Sequence, residues 1–239
     1  MNSLWITTWL LAGVFVSALP TEDRKLEDTQ NDVCRPWQKD TVMLLLGSTT
    51  NYAMKEDAIQ VYLPAVTVCM IAVSYSNDSE VEKCVFSYAT QEEPDELLLC
   101  LSPDFRVLIR SEPRKCDKGI PEDGLFHHIC FTWNNENGDY KFWIDGEVVE
   151  CGSGFQKGTL IASGGTAVVG QDQEAMGGPF EIGKSWVGAV SGVNVWGTVK
   201  SDTDIKSMAQ ECYVTDGSII SWPELYNKGS LHGKVCTFR

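Results

Sequence analysis

The residues with the clearest potential for chemistry form an acidic, glycine-rich stretch from Gly170 to Glu181, with the order Gly-Gln-Asp-Gln-Glu-Ala-Met-Gly-Gly-Pro-Phe-Glu. Asp172, Glu174 and Glu181 offer carboxylate oxygens, and the Gly177-Gly178 pair allows the backbone to turn its carbonyl groups inward. Calcium takes about six to eight oxygen ligands of these kinds. The spacing matches no EF-hand, so these residues alone favour a solvated acidic loop over a cation site.

Catalysis is a competing use of the same acids. Asp172 and Glu174 are two residues apart and share a face if the chain is extended, as a glycosidase carboxylate pair would require. The chain has no nucleophile elbow and no zinc-ligand spacing. Of its three histidines, His128 falls in a predicted strand, whereas His127 and His232 are isolated in the sequence. We therefore predict a protein that is not an enzyme.

The start of the chain indicates its compartment. Residues 4–16 are almost wholly apolar and uncharged and run into Val16-Ser17-Ala18, which predicts a cleaved signal peptide over residues 1–18 and a secreted, extracellular protein. Residues 19–36 are predicted to be an acidic, flexible lead, and residues 37–239 a single domain. No later apolar run reaches about 18 residues, so we expect no membrane insertion.

The net charge and the cysteine content limit the functional classes to which the protein can belong. The formal net charge of −14 argues against nucleic-acid binding, which needs a basic surface. Nine cysteines in a secreted chain imply disulfides, and the odd number leaves at least one thiol free or paired between chains. The sequon Asn77-Asp78-Ser79 predicts N-glycosylation of Asn77.

Short β-prone runs bounded by turn residues recur along most of the chain and predict an all-β protein with two antiparallel sheets. The predicted strands cover residues 42–46, 65–75, 85–88, 97–101, 106–109, 128–133, 140–144, 159–162, 167–169, 186–190, 193–196, 218–222 and 234–238. Asp145-Gly146 predicts a tight hairpin turn. One short helix is predicted over residues 202–210, with Ser201 as its N-cap.

One strand carries a family signature, His128-Ile-Cys-Phe-Thr-Trp133. Further matching stretches follow in order and spacing: Phe86-Ser-Tyr-Ala-Thr90, Trp143-Ile-Asp-Gly146, the loop from Gly170 to Glu181, Val187-Gly188 and Val193-Asn-Val-Trp196. From about Trp37 onward the chain resembles the pentraxins. The resemblance implies a lectin-like jelly roll with one helix, assembled as a homo-oligomer, usually a pentamer, in innate pattern recognition and the acute phase. A laminin-G-like adhesion module, which shares the sandwich and a rim calcium, is the alternative.

The resemblance also implies disulfides. It pairs Cys69 with Cys130 and, as in long pentraxins, Cys34 with Cys212. Five cysteines remain unassigned: Cys84, Cys100, Cys116, Cys151 and Cys236. Among them, Cys100 and Cys116 could bridge neighbouring strands, and one of the five could link protomers.

Carried over residue by residue, the family's first calcium site is partly kept. Asp172 and Glu174 stand at acidic ligand positions, and Gln173 stands where the family offers a backbone carbonyl. Upstream, Asp95 replaces an Asn ligand, but Pro94 takes the place of an Asp and contributes no side-chain oxygen. The resemblance therefore implies one calcium ion held with reduced affinity.

The second calcium and the ligand pocket depart further from the family. Glu181 is kept, but Lys184 stands at a Gln ligand position, and its ammonium would repel a divalent ion by several kcal/mol at an effective dielectric near ~20. Cys100 replaces the Phe that seats choline, and the acidic partner of choline falls near Glu112. We therefore predict that the second ion is weakened or lost, that phosphocholine binds weakly or not at all, and that phosphorylated or acidic-sugar ligands use the remaining calcium or Lys184.

Overall fold

The computed structural model describes residues 34–36, 39–76, 80–227, 230–233 and 236–238. The predicted signal peptide at 1–18, most of the lead at 19–36 and the sequon residue Asn77 lie outside the described residues. In the part of the chain that is described, no helix is both long enough and apolar enough to cross a membrane.

In the residues that the structure describes, two sheets of seven strands each make up the fold, and every neighbouring pair of strands is antiparallel. The first sheet has the order β10 (Glu147–Gly152), β9 (Tyr140–Ile144), β8 (His127–Asn134), β3 (Ala65–Ser74), β12 (Val187–Trp196), β1 (Val42–Leu46) and β14 (Cys236–Phe238). The second has the order β13 (Leu231–His232), β2 (Tyr52–Lys55), β11 (Thr166–Val169), β4 (Lys83–Ala89), β5 (Leu97–Ser102), β6 (Phe105–Ile109) and β7 (Glu112–Cys116). The predicted all-β, two-sheet jelly-roll sandwich is confirmed.

Side-chain alternation along the strands builds the core and sets the outer faces. In β5, Leu97, Leu99 and Leu101 enter the main core between the sheets. Leu98 and Cys100 point to the other face, where they form a small buried cluster with residues of β4 and β6. Successive residues of a strand face opposite sides, so this pattern places Cys100 on the outer face of the second sheet.

The predicted helix is present as α1 (Asp202–Glu211). The Ser201 hydroxyl accepts a hydrogen bond from the Asp204 backbone N–H at 3.1 Å, which satisfies one of the free donors at the helix start. Ile205 and Met208 are buried against the outer face of the first sheet. The helix therefore covers that face and leaves the outer face of the second sheet to the acidic loop.

A second helix, α2 (Trp222–Tyr226), follows a segment that the sequence predicts as a strand over residues 218–222. Only Ile220 makes a β-bridge there, with Val195. Pro223 fits the first turn of a helix, and the Glu224 carboxylate accepts a hydrogen bond from the Ser221 N–H at 3.3 Å. Local helix-start residues thus outweigh the β-prone composition, and the strand predicted over residues 218–222 is wrong apart from the single bridge at Ile220.

Other departures are smaller. Residues 159–162 form only the isolated bridge between Leu63 and Ile161. The two runs predicted at 186–190 and 193–196 belong to one strand, β12, whose pairing register shifts between Ser191 and Asn194. The sequence does not predict β2, β7 and β13, because β2 and β13 are short, β7 is polar and exposed, and none shows a clear alternation of apolar residues.

The hairpin at Asp145-Gly146 is confirmed, since both residues have positive φ angles, of 51° and 77°. His127 braces this turn and is not isolated. Its Nδ1 lies 2.7 Å from Asp145 Oδ2 and its Nε2 lies 3.0 Å from Asp123 Oδ1. His232 also has a partner, because its ring stacks on Tyr52 with centroids 4.5 Å apart. Both histidines that the sequence left isolated therefore have structural contacts.

Three disulfides join described cysteines. Both predicted bridges, Cys34–Cys212 and Cys69–Cys130, are present. The third joins Cys84 of β4 to Cys100 of β5, so the predicted bridge between Cys100 and Cys116 is wrong. β6 lies between β5 and β7, and Cys116 is a buried free thiol in the main core, whereas Cys100 faces outward. Such a set of disulfides is typical of an extracellular domain.

Candidate ligand-binding face

The acidic loop connects β11 to β12 and begins at a glycine that no other residue could replace without strain. Gly170 has φ +93°, and a Cβ atom there would lie 2.7 Å from Leu45 Cδ1. Its N–H donates to the Val85 carbonyl at 2.8 Å, and its own carbonyl accepts from the Trp186 N–H at 3.0 Å. These two bonds close the base of the loop against the second sheet.

Gln171 holds the first part of the loop from inside. Its side chain is buried, and Nε2 donates to the carbonyl groups of Ser48 at 2.7 Å and Asn51 at 3.1 Å. Its Oε1 accepts a hydrogen bond from the Ser185 hydroxyl at 2.7 Å, which joins the start of the loop to its end. The buried amide is thus fully used in fixing the loop backbone.

Gln173, two residues further along the loop, has the same structural role. Nε2 of its buried side chain donates to the Thr166 carbonyl at 3.0 Å and to the Ser87 hydroxyl at 3.1 Å, and Oε1 accepts from the Gly177 N–H at 2.8 Å. The sequence singled out Gln173 for its backbone carbonyl and missed this contribution of its side chain. Its carbonyl as a calcium ligand stays a prediction.

Lys184 lies between the acids of the loop. Its Nζ is 2.9 Å from Asp172 Oδ2, 2.8 Å from Glu174 Oε1 and 4.0 Å from Glu181 Oε2. Burial alone would lower the pKa of Lys184, but its hydrogen bonds to Glu174 and Asp172 outweigh that effect and raise it above the ordinary value. A permanent positive charge therefore lies at the centre of the acidic cluster.

Asp172 keeps one carboxylate oxygen without a hydrogen-bond partner, and Asp95 lies in the same acidic surroundings. Asp172 is only 4% exposed, and its Oδ1 is buried without a hydrogen-bond partner. Burial raises the pKa of Asp95 to about 6, and repulsion from Asp172 and Glu93 adds to the rise. Carboxylates held in this way suit one hard cation beside them, since a cation would supply the missing partner.

A second cation does not fit the residues present, because the Lys184 ammonium already contacts Asp172 and Glu174, two of the acids that would hold it. In the part of the chain that the structure describes, the loop acids also form no group of three or more whose ligand atoms all lie within 4.8 Å of one another, which applies to a first cation as well as to a second. Two such groups involve Cys69 with Cys130 and Cys84 with Cys100, whose sulfur atoms are already in disulfides.

The remaining predicted site residues are less central. Glu181 is exposed and only approaches Lys184. Glu112 is exposed at the first position of β7, next to Ser111, whose hydroxyl donates to Glu93 Oε1 at 2.5 Å. Cys100 is fully buried in its disulfide, so it offers a ligand neither a thiol nor a ring.

Glu82 and Arg106 belong to the same face and were missed by sequence reasoning. Their side chains form an ion pair of 2.7 Å. Burial raises the pKa of Glu82, Arg106 opposes the rise, and Asp172 adds to it, so Glu82 experiences the charge of the acidic loop. The two residues lie 24 positions apart in the chain and no local pattern links them, because β5 lies between the strand that follows Glu82 and the strand that carries Arg106.

Comparison with known proteins identifies the family. The model of the pentaxin family matches residues 43–237, which is most of the chain. The chain belongs to the pentaxin, or pentraxin, family. This membership favours the pentraxin interpretation over a laminin-G-like adhesion module.

Individual pentraxin relatives agree with this. Serum amyloid P-component of Cavia porcellus is 31% identical over 164 residues, covering 68% of this chain and 71% of the relative. A sushi, von Willebrand factor type A, EGF and pentraxin domain-containing protein of Rattus norvegicus is 32% identical over 152 residues, which are 62% of this chain but only 4% of that protein. The chain therefore corresponds to one small part of that larger relative.

A solved pentraxin structure confirms the fold. The heptameric SAP-like pentraxin from Limulus polyphemus superposes with a TM-score of 0.70 at 22% identity, covering 84% of this chain and 95% of that one. At this identity the superposition supports the jelly roll, and the ligand chemistry has to be argued from the residues of this chain.

Proposed function

We propose that this pentraxin is a secreted, calcium-dependent pattern-recognition protein that binds phosphorylated or acidic-sugar ligands on the outer face of its second sheet. The observation that carries the proposal is the buried Asp172 carboxylate, whose Oδ1 has no protein partner, beside the half-buried Asp95. The other oxygen, Oδ2, contacts the Lys184 ammonium at 2.9 Å, so Oδ1 is the buried atom that a further cation would satisfy. The three disulfides and the pentraxin relatives support an extracellular location.

One calcium ion is proposed for this face. Asp95, Asp172, Glu174 and the Gln173 carbonyl would hold it, and the ion would supply a positive charge that attracts an anionic group of the ligand. Lys184 already neutralises part of the charge on Asp172 and Glu174, so we expect the affinity for calcium to be lower than four free oxygen ligands would give.

Phosphocholine is not the expected ligand. Recognition of its quaternary ammonium group by an aromatic face needs an exposed ring. At the corresponding position Cys100 is buried in a disulfide and surrounded by Cys84, Leu98 and Leu108, none of which is aromatic. Binding through an anionic group alone is the mode that these residues support.

A catalytic role is not proposed. A glycosidase would need Asp172 and Glu174 to exchange protons with a substrate. Both carboxylates instead contact the Lys184 ammonium, at 2.9 Å and 2.8 Å, so an oxygen of each is already engaged within the loop.

Assembly into a homo-oligomer is also proposed, since a relative of the same fold is a heptamer. The number of subunits in this protein stays a question for light scattering. A ring would place several copies of the ligand face side by side, and multivalent binding would then raise the avidity for a repetitive surface.

The test measures retention of the secreted protein on resins that carry phosphoethanolamine, phosphocholine or an acidic polysaccharide, in calcium and in chelator. We expect retention on an anionic resin in calcium, loss of it in chelator, and weak retention on phosphocholine. Asp172→Asn should abolish the calcium-dependent part, whereas the exposed control Asp216→Asn should not. Equal retention in calcium and chelator would refute the proposal.

A further inference from the structure

We propose that Lys184 is a built-in counter-ion that replaces the second metal and keeps the acidic loop, residues 170–185, in one conformation with or without calcium. The inference rests on the assignment of this loop to the ligand face in the proposed function. The inference concerns the conformational order of the loop, which can be measured in the absence of any ligand.

The backbone around Lys184 is fixed independently of any metal. Its N–H donates to the Glu181 carbonyl at 3.0 Å, and its own carbonyl accepts from the Cys84 N–H at 3.0 Å. The next residue, Ser185, is fully buried and donates to Gln171 Oε1. Lys83 adds a hydrogen bond from its Nζ to the Gly183 carbonyl. These hydrogen bonds fix the backbone position of Lys184 without any contribution from its ammonium group.

The ammonium then does for the loop what a bound cation would do. It contacts carboxylates from two positions of the loop, Asp172 and Glu174, and so joins them across one charge. A covalently attached cation does not dissociate and pays no association entropy, so removing calcium from the solution leaves it in place. The inner side of the loop is already held by the buried amides of Gln171 and Gln173.

An ordinary surface ion pair would contribute little, because solvent screens it. The pair between Lys184 and Asp172 differs, since the Asp172 side chain is 4% exposed and that of Lys184 is 32% exposed. Removing the ammonium would leave a buried carboxylate without a counter-charge, which is strongly unfavourable. The loop should then depend on a metal for its order.

Amide hydrogen exchange of the loop tests this. Three N–H groups that bond inside the loop serve as probes: Glu174 donates to the Pro179 carbonyl, Gly177 to Gln173 Oε1 and Gly178 to the Ala175 carbonyl. In the wild-type protein we expect these amides to exchange at rates that differ by less than about twofold between calcium and chelator. In Lys184→Gln, the exchange rates in chelator should rise about tenfold, because the variant loses hydrogen bonds between charged groups. Calcium should restore the protection.

Two further variants make the test specific. Lys184→Arg keeps the positive charge and should stay insensitive to chelator. Lys115→Gln removes another lysine that lies between two acids, Asp104 and Asp117, and should leave the loop unchanged. Unchanged exchange in the strands would show that Lys184→Gln is folded. A wild-type loop that loosens in chelator, or a Lys184→Gln loop that does not, overturns the inference. A chelator-insensitive loop in a wild-type protein that shows no calcium-dependent retention on any of the resins would refute only the proposed function.

Discussion

Lys184 places one ammonium group 2.9 Å from Asp172 and 2.8 Å from Glu174, so the charge at the centre of the acidic loop is a property of a single side chain. Lys184→Gln would remove that charge and leave an amide oxygen that can ligate calcium. We expect the number of calcium ions bound per chain, measured by isothermal titration calorimetry, to rise from one to two.

The matched control is Lys115→Gln, which makes the same change at a lysine between Asp104 and Asp117 on the edge strand β7. It should leave the stoichiometry at that of the wild-type protein. A wild-type protein that binds two equivalent, tight calcium ions would contradict the role given to Lys184.

A second prediction at the residue scale concerns His128, which is buried beside Cys130 in β8 and whose Nδ1 has no hydrogen-bond partner. Burial lowers the pKa of His128 from 6.5 to about 4. Between these values the unfolded chain takes up a proton that the folded chain does not, so stability should fall as pH drops from about 6.5 to about 4. His128→Leu should reduce this fall, measured by urea unfolding at pH 7 and pH 4.5.

His127 provides a control, because its pKa is shifted in the opposite direction to that of His128. Hydrogen bonding to Asp145 raises the pKa of His127, burial opposes the rise, and Asp123 adds to it. Its contribution to stability is therefore complete below the unfolded pKa and is lost as pH rises through the folded one. His127→Gln should make the acid-induced loss of stability larger than in the wild-type protein. Identical pH dependence in all three proteins would rule out both assignments.

At the scale of elements, the Cys84–Cys100 disulfide joins β4, which adjoins the acidic loop, to β5, which begins just after Asp95. It therefore ties the strand that follows Asp95 to the strand whose backbone hydrogen-bonds to both ends of the acidic loop. The bridge closes a loop with a sequence separation of 16, for which the chain-entropy model gives a stabilisation of about 3 kcal/mol.

The double variant Cys84→Ser/Cys100→Ser should accordingly lose about 3 kcal/mol in free energy of unfolding, measured with urea. We also expect weaker calcium binding, since Asp95 would no longer be fixed relative to Asp172. Cys116→Ser changes a thiol that is free in the structure, so no cross-link is lost and calcium binding should stay at the wild-type level. A double variant with unchanged calcium affinity would show that the bridge does not position the site.

Sequence patterns predicted the elements whose signals are local or repeated. Helix α1 and the Asp145-Gly146 turn follow from a capping serine and from two residues that tolerate positive φ. The polar edge strand β7 lacked such signals, and the segment that forms helix α2 carried both strand and helix signals. At the site, the resemblance pointed to the acids and to Lys184, but the ion pairs, the inward amide of Gln173 and the Cys84–Cys100 bridge depend on side chains far apart in the chain.

At the scale of the whole molecule, the two faces of the sandwich have different coverings. Helix α1 packs on the outer face of the first sheet, and the acidic loop is hydrogen-bonded to β4 of the second sheet. The net charge of −14 means that anionic ligands meet overall repulsion, which salt would screen beyond about 8–10 Å. A local cation at the ligand face is then the feature that could make binding of an anion favourable, and Lys184, Arg106 and the proposed calcium ion are candidates for that role.

Assembly gives the last prediction. Of the cysteines whose side chains the structure describes, Cys151 is the one that is both unpaired and exposed, and it lies on β10 at the edge of the first sheet. Edge strands present unpaired backbone groups to other chains, and an exposed thiol oxidises readily in an extracellular environment. We expect non-reducing gels of the secreted protein to show disulfide-linked dimers that Cys151→Ser removes and that the buried-site variant Cys116→Ser retains. Dimers that persist in Cys151→Ser would assign the link to a different cysteine, and a Cys151→Ser protein of unchanged mass in light scattering would show that non-covalent contacts suffice for assembly.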